Sequence, residues 1–370
     1  MRAVVYRGAN DLRVETLPVP AIRAGELLVE VAICGVCPTD IKKIKCGTVE
    51  PPRVFGHETA GTVVRTGALV RGFKIGDRVA LHHHVPCLDC HACRHRAFAQ
   101  CTQYKRTGIT AGFQPAGGGY ANYVRVMPFV LPGVVKIPSR NSFVEGAMLE
   151  PVNTVLKAVK RLALLRGDTV LVAGQGPIGL MFTRWLALRG ISVLATDLLQ
   201  TRLDLASRFG AKAVFQVQPA RQERTDKLNT VVERMTHGRG LDAAVIAVPS
   251  AEVVRHSQQL VRGAGQVLLF SHTKRGERAE MDLATVCVDE KDLIGSYSAD
   301  FTLQDEVARL IFSRKFDVRP LATHQFPLEQ TAAAVELAAH PTAESLKVIV
   351  NHSIEVLIAK GAMSQLSSRE

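Results

Sequence analysis

Nowhere does the 370-residue sequence hold the run of about 18 apolar residues that a bilayer-spanning helix needs. Its opening, MRAVVYRGANDLRVE, scatters charges through a short apolar stretch and lacks the ordered regions of a secretory leader. A cytoplasmic location without a membrane partner is therefore expected. Aromatic residues are scarce, at 5% with a single tryptophan, and acidic residues are outnumbered 34 to 46 by lysine and arginine. The resulting net charge of +12 raises the question of nucleic acid. The basic residues, however, are spread along the chain, and the densest patches, Lys42-Lys43 and Arg94-His95-Arg96, are short. No nucleic-acid partner is expected; a basic surface that draws in an anionic cofactor or substrate fits better. Eight cysteines are too few for a disulfide scaffold in a chain of this length, and no internal repeat is visible.

What the chain does carry is ample core material, with 47% hydrophobic and 22% charged residues. Its length exceeds that of a usual single domain, so two are expected. Up to residue 149, short β-type runs are broken by glycine and proline: LLVEVAI (27–33), AGTVVRTG (60–67), DRVALHHH (77–84) and YANYVRV (120–126). At Glu150-Pro151 the texture changes. VNTVLKAVKRLALL (152–165) has helical spacing, with Pro151 favourable at a helix start. DTVLVAG (168–174) is a buried-strand run, followed by a helix over 178–188, the strand SVLATD (192–197) and a helix ending near Gly210. Alternation continues to about residue 295 and predicts an α/β unit with a doubly wound parallel sheet over 151–295. Beyond it, 303–316 and 328–340 read as helices and SLKVIVN (345–351) as a strand. That strand can return to the β-rich domain, which then comprises 1–150 and 296–370. The last residues, AKGAMSQLSSRE, read as a frayed tail.

VLVAGQGPIG places Gly174, Gly176 and Gly179 in G-x-G-x-x-G spacing, with Pro177 and Ile178 between the last two glycines. The motif closes a strand, opens a helix, and belongs to a βαβ unit whose second strand ends in Asp197. That context identifies a dinucleotide site rather than a glycine-rich turn. Gly174 permits the tight turn, Gly176 lets backbone approach a pyrophosphate at the helix N-terminus, and Gly179 lets helix and strand pack closely. A carboxylate at Asp197 accepts hydrogen bonds from a ribose 2′-hydroxyl and repels a 2′-phosphate, so NAD is expected over NADP. The basic residue nearest a 2′-phosphate would be Arg202.

Four of the cysteines, Cys87, Cys90, Cys93 and Cys101, follow C-x2-C-x2-C-x7-C spacing. Four thiolates make a closed tetrahedral zinc site with no position left for substrate, hence a structural one. An iron–sulfur cluster fits less well, since the final interval is seven residues and lacks a Cys-Pro ending. His91 and His95 lie in the same loop and read as bystanders. Cys34 and Cys37 form a second C-x-x-C, which by itself is compatible with a redox pair, half a zinc site, or one important cysteine.

Gly56-His57-Glu58 opens a further run with metal-binding chemistry, since imidazole and a neighbouring carboxylate both suit zinc. G-H-E-x-x-G-x-V, then Gly76-Asp77-Arg78-Val79, the four-cysteine loop, GGGYANYV and Glu150-Pro151 all precede the G-x-G-x-x-G in order. This sequence of motifs resembles the zinc-dependent medium-chain alcohol dehydrogenase family over residues 1 to about 350. The Glu-Pro step is similar to the polyol and threonine dehydrogenase branch. The resemblance implies a GroES-like catalytic domain built from both ends of the chain, with a Rossmann domain inserted and the active site in the cleft between them. It implies two zinc ions per chain, and a homodimer or homotetramer paired through the nucleotide domain. Cys37 and His57 would hold the catalytic zinc, with Glu58 and Glu150 as ligands directly or through water. Cys37-Pro38-Thr39-Asp40 matches the family's C-x-[ST]-D, which assigns Thr39 to the substrate's proton and Asp40 to a supporting role. The implied reaction passes a hydride between NAD and a secondary alcohol or polyol.

One departure stands out. Many relatives carry a histidine three positions after the threonine or serine; here Lys42 stands there. Either its amine carries the proton onward or water does, and water is preferred because paired lysines are usually solvated. Cys46 and Cys287 read as ordinary thiols, Cys34 as a small core residue, and the His82-His83-His84 tract as structural. The rival readings are a zinc-free quinone reductase, disfavoured by Cys37, His57 and Asp197 together, and a zinc- and nucleotide-binding member without catalysis. Sugar alcohols, cyclitols, amino alcohols and phosphorylated polyols all remain open as substrates.

Overall fold

In the computed structural model, residues 1–82, 84–104, 108–113, 117–218, 222–271 and 276–353 are described. His83 and the expected frayed tail lie outside them. The strand Leu27–Gly35 is the axis of the first unit, because both of its faces are largely buried. It pairs antiparallel with Glu58–Thr66 on one side and Lys347–Asn351 on the other, and with Tyr123–Val126 over its first four residues. Arg78–Leu81 and Val135–Lys136 extend one end of this sheet, and Ala322–Phe326 the other. A separate three-stranded sheet has Arg2–Gly8 between Asp11–Thr16 and Arg53–Val54. Valines at alternate strand positions, among them Val29, Val31, Val63, Val124, Val348 and Val350, are buried together with Tyr6 and Tyr120 in one core. Each such side chain contributes about 1.5–3 kcal/mol relative to exposure.

The second unit is a six-stranded sheet, in which every adjacent pair of strands is parallel. Its order is Ala213–Gln216, Ser192–Asp197, Thr169–Ala173, Leu241–Ile246, Val261–Leu269 and Asp292–Gly295. The central strands TVLVA and LDAAVI are buried at every position, as a sheet covered by helices on both faces requires. The chain divides into two compact units: Met1–Asn153 with the described residues from Ala299 onward, and Thr154–Ser298.

Some elements differ from the pattern read in the sequence: the helix expected over 303–316 is Gln304–Phe312, and that over 328–340 is Thr331–Ala339 after the short turn Leu328–Gln330. The helix expected over 152–165 runs instead from Leu149 to Val159. Pro151 falls in its first turn, where no intrahelical N–H is needed. Past Val159, Arg161 and Leu162 bond only three residues back, and the N–H of Ala163 is captured by Gln266 Oε1 at 2.6 Å. Periodicity alone does not report that capture.

Candidate functional site

Cys37 is the N-cap of the helix Pro38–Cys46, which is separated from the strand Leu27–Gly35 by two residues. Pro38 pre-sets the first helical φ, and Gly47, left-handed at φ 61°, closes the helix. Asp40 therefore lies in the first turn, beside the positive end of the helix dipole. Glu58 opens the strand Glu58–Thr66 and pairs in register with Gly35. Only glycine fits opposite it, because a Cβ at residue 35 would run into the Glu58 carboxylate. This register brings donor atoms of Cys37, His57 and Glu58 within 4.8 Å of one another.

His57 Nδ1 lies 3.1 Å from Asp40 Oδ1 and 3.0 Å from Oδ2, which leaves the other ring nitrogen for the centre of the cluster. Burial disfavours the imidazolium, but the Asp40 carboxylate and Cys37 outweigh it and raise the His57 pKa well above its ordinary value. A half-buried thiol beside a buried imidazole and buried carboxylates, a group that already favours positive charge, fits a divalent cation with N, S and O ligands. Glu150 is buried in the first turn of the helix Leu149–Val159, outside that three-residue cluster. Burial pushes its pKa up to about 7, with Glu58 adding to the rise and His57 opposing it.

The four cysteines of the 87–101 loop also converge within 4.8 Å. Sulfur separations are 3.5 Å for Cys90–Cys93, 3.6 Å for Cys87–Cys101 and 3.9 Å for Cys87–Cys93. Four sulfurs about 2.3 Å from a zinc ion form a tetrahedron with edges of about 3.8 Å, so the spacing suits that metal. Backbone N–H groups of Cys90 and Cys87 donate to the sulfurs of Cys87 and Cys101, each at 3.4 Å. Such donors, Asp89's among them, pull the Cys87 pKa down to about 6 and favour the thiolate. His91 and His95 face each other at 4.5 Å between ring centroids and are not among those donors.

In the second unit, the strand Thr169–Ala173 turns at Gly174, whose φ is 91°, into the helix Pro177–Leu188. Gly176 caps that helix, and a Cβ on Gly179 would collide with the Gly174 carbonyl. Asp197 ends the neighbouring strand; its two oxygens accept the N–H groups of Gln175 at 2.6 Å and Leu199 at 2.9 Å. Arg202 Nη1 lies 3.9 Å from Asp197 Oδ2.

Residues 23–139 match the family described as alcohol dehydrogenase GroES-like domain, and residues 177–313 that described as zinc-binding dehydrogenase. A sorbitol dehydrogenase of Bombyx mori is 31% identical over 357 residues, covering 94% of this chain and 98% of its own. The chain belongs to the zinc-dependent medium-chain polyol dehydrogenase family. Among solved structures, 2R,3R-butanediol dehydrogenase from Bacillus subtilis superposes with a TM-score of 0.82 at 25% identity, covering 95% of this chain and 99% of its own. A zinc-binding dehydrogenase from Sinorhizobium meliloti 1021 bound to NADP gives the same TM-score and identity, covering 95% of this chain and 98% of its own.

In this polyol dehydrogenase family member, Thr39 and Lys42 are half-buried on the helix Pro38–Cys46, and their spacing of three places them on one side of it. Cys34 is wholly buried, 3.5 Å from Thr59 Oγ1, and burial pushes its pKa up to about 12, as fits a small core residue. Three further residues went unread in the sequence. Lys347, only 4% exposed, donates to Glu58 at 2.5 Å and to the Val36 carbonyl at 3.0 Å. His84 turns its ring toward His57, with centroids 5.8 Å apart. Gln175 braces the glycine turn, donating to the Val172 carbonyl at 2.8 Å and accepting from Thr183 at 2.9 Å. Only its place inside G-x-G-x-x-G hinted at a role.

Proposed function

We propose that the chain oxidises a secondary alcohol or polyol to its ketone with NAD, and reduces the ketone in reverse. One zinc is held at Cys37, His57 and Glu58, with Glu150 next to them, and a second at Cys87, Cys90, Cys93 and Cys101. The observation that carries this reading is the convergence of Cys37, His57 and Glu58 with Asp40 behind the imidazole. When bound, zinc polarises the substrate oxygen and the nicotinamide accepts the hydride. Asp40 fixes the His57 ring and its tautomer. Thr39 accepts the proton of the substrate hydroxyl, and water carries it past Lys42. Glu150 would serve as a further ligand, directly or through water.

Gly174, Gly176, Pro177, Ile178 and Gly179 receive the pyrophosphate, and Asp197 the adenosine ribose. Its carboxylate disfavours a 2′-phosphate, and Arg202 is already drawn toward that carboxylate; both support NAD over NADP. A homodimer or homotetramer in the cytoplasm belongs to the same reading. A panel of sugar alcohols, cyclitols, amino alcohols and phosphorylated polyols, followed by NADH formation, tests it. Turnover of at least one, lost in Cys37→Ser, is expected; no turnover of any would contradict the reading.

A further inference from the structure

A histidine ring has a broad torsional preference about its Cβ–Cγ bond, so each contact on the ring narrows its orientation. His57 is held at Nδ1 by Asp40. A second restraint reaches it from elsewhere in the same unit: the His84 ring, 5.8 Å away between centroids and tilted by 40°. His84 in turn stacks on Tyr104 at 4.4 Å and 25°. Tyr104 follows the last metal-loop cysteine by one turn, and its N–H donates to the Cys101 carbonyl at 3.2 Å. It is 1% exposed and shares a small core with Cys93, Phe98 and Cys101, against which Phe301 packs.

We propose that Tyr104 is a positioning residue for the catalytic metal centre, carrying the geometry of the four-cysteine loop through the His84 ring to His57. The 87–101 segment has little else to order it. Its regular structure is the four-residue helix His91–Arg94 and the three-residue turn Phe98–Gln100. Its small core is half cysteine, so its shape follows from the four-thiolate site. That site is thus part of the reaction's machinery without touching the substrate: it fixes Tyr104, the stack fixes His84, and His84 and Asp40 bracket the imidazole that ligates. The inference rests on the proposed metal centre at Cys37, His57 and Glu58.

The test compares Tyr104→Phe, which keeps the stacking ring, with Tyr104→Ala, in protein whose four-cysteine site keeps zinc and whose Cys37 site is exchanged to cobalt(II). Three quantities are read: metal content, the cobalt visible absorption bands, and kcat/KM. In Tyr104→Ala the zinc is expected to stay, the cobalt bands to shift, and kcat/KM to fall about tenfold or more, as misplacement of a catalytic group does. Tyr104→Phe is expected to match the parent in all three. Should Tyr104→Ala fail to fold, His84→Ala against His84→Phe decides by the same three readouts. Either alanine variant, folded and with unchanged bands and kcat/KM, would overturn the proposal while leaving the metal centre in place. Cobalt bands that persist unaltered in Cys37→Ser would instead overturn the metal-centre reading and, with it, this inference.

Discussion

Lys347 reaches from the last described strand to a carboxylate 289 residues earlier in the chain. Burial opposes its charge, but Glu58 and Cys37 outweigh that and raise its pKa, so the ammonium persists. Removing one partner of a buried ion pair strands the other, at about 3–5 kcal/mol. Lys347→Met is therefore expected to destabilise the metal-free protein by about that much in urea unfolding, and adding Glu58→Gln to recover most of the loss. Equal losses in the single and double variants would deny the pairing. Lys42 makes the opposite case. If water carries the proton onward, Lys42→Ala leaves the pH profile of turnover unchanged; a displaced limb would assign the step to the amine. The convergence of Cys37, His57, Glu58 and Asp40 was legible because each sits in a short motif. Lys347 and His84 were not, because a lone lysine in SLKVIVN and the last of three histidines look like ordinary strand residues until the fold sets them beside Glu58 and His57.

Strands and helices of the parallel sheet were legible for a physical reason: strands covered on both faces must be apolar throughout, as TVLVA and LDAAVI are. Helix ends were less so. Val159 ends its helix where Gln266, over a hundred residues away, takes the backbone N–H of Ala163. His82 shows a different limit of strand reading. It directly follows the strand Arg78–Leu81 and is wholly buried, and burial pushes its pKa down to about 4 from 6.5. A base whose folded pKa is depressed contributes full stability above its unfolded pKa and loses it as pH falls through the folded one. Between pH 6.5 and about 4, His82 accordingly costs roughly 3 kcal/mol. His82→Leu is expected to flatten the acid limb of a stability-versus-pH curve measured by urea unfolding. An acid limb as steep as the parent's would show that His82 does not set it.

At the scale of the whole chain, the order of pieces explains the site. The first unit is interrupted by the second and resumes at Ala299, and its last described strand, Lys347–Asn351, pairs with Leu27–Gly35 and carries Ala322–Phe326 at the sheet's end. The sequence suggested that return through SLKVIVN, but not that the same strand delivers Lys347 to Glu58. The net charge of +12 is the surplus of 46 lysines and arginines over 34 acidic residues, some of which pair, as at Arg262–Asp242 and Lys136–Asp77. The most direct measurement is the zinc content of the full-length protein and of Cys37→Ser, read beside NAD reduction by an active polyol. The account predicts two zinc ions per chain in the parent, one in the variant, and loss of NAD reduction with the missing ion. A single zinc in fully loaded parent protein, or a Cys37→Ser variant that keeps both the metal and the activity, would contradict it.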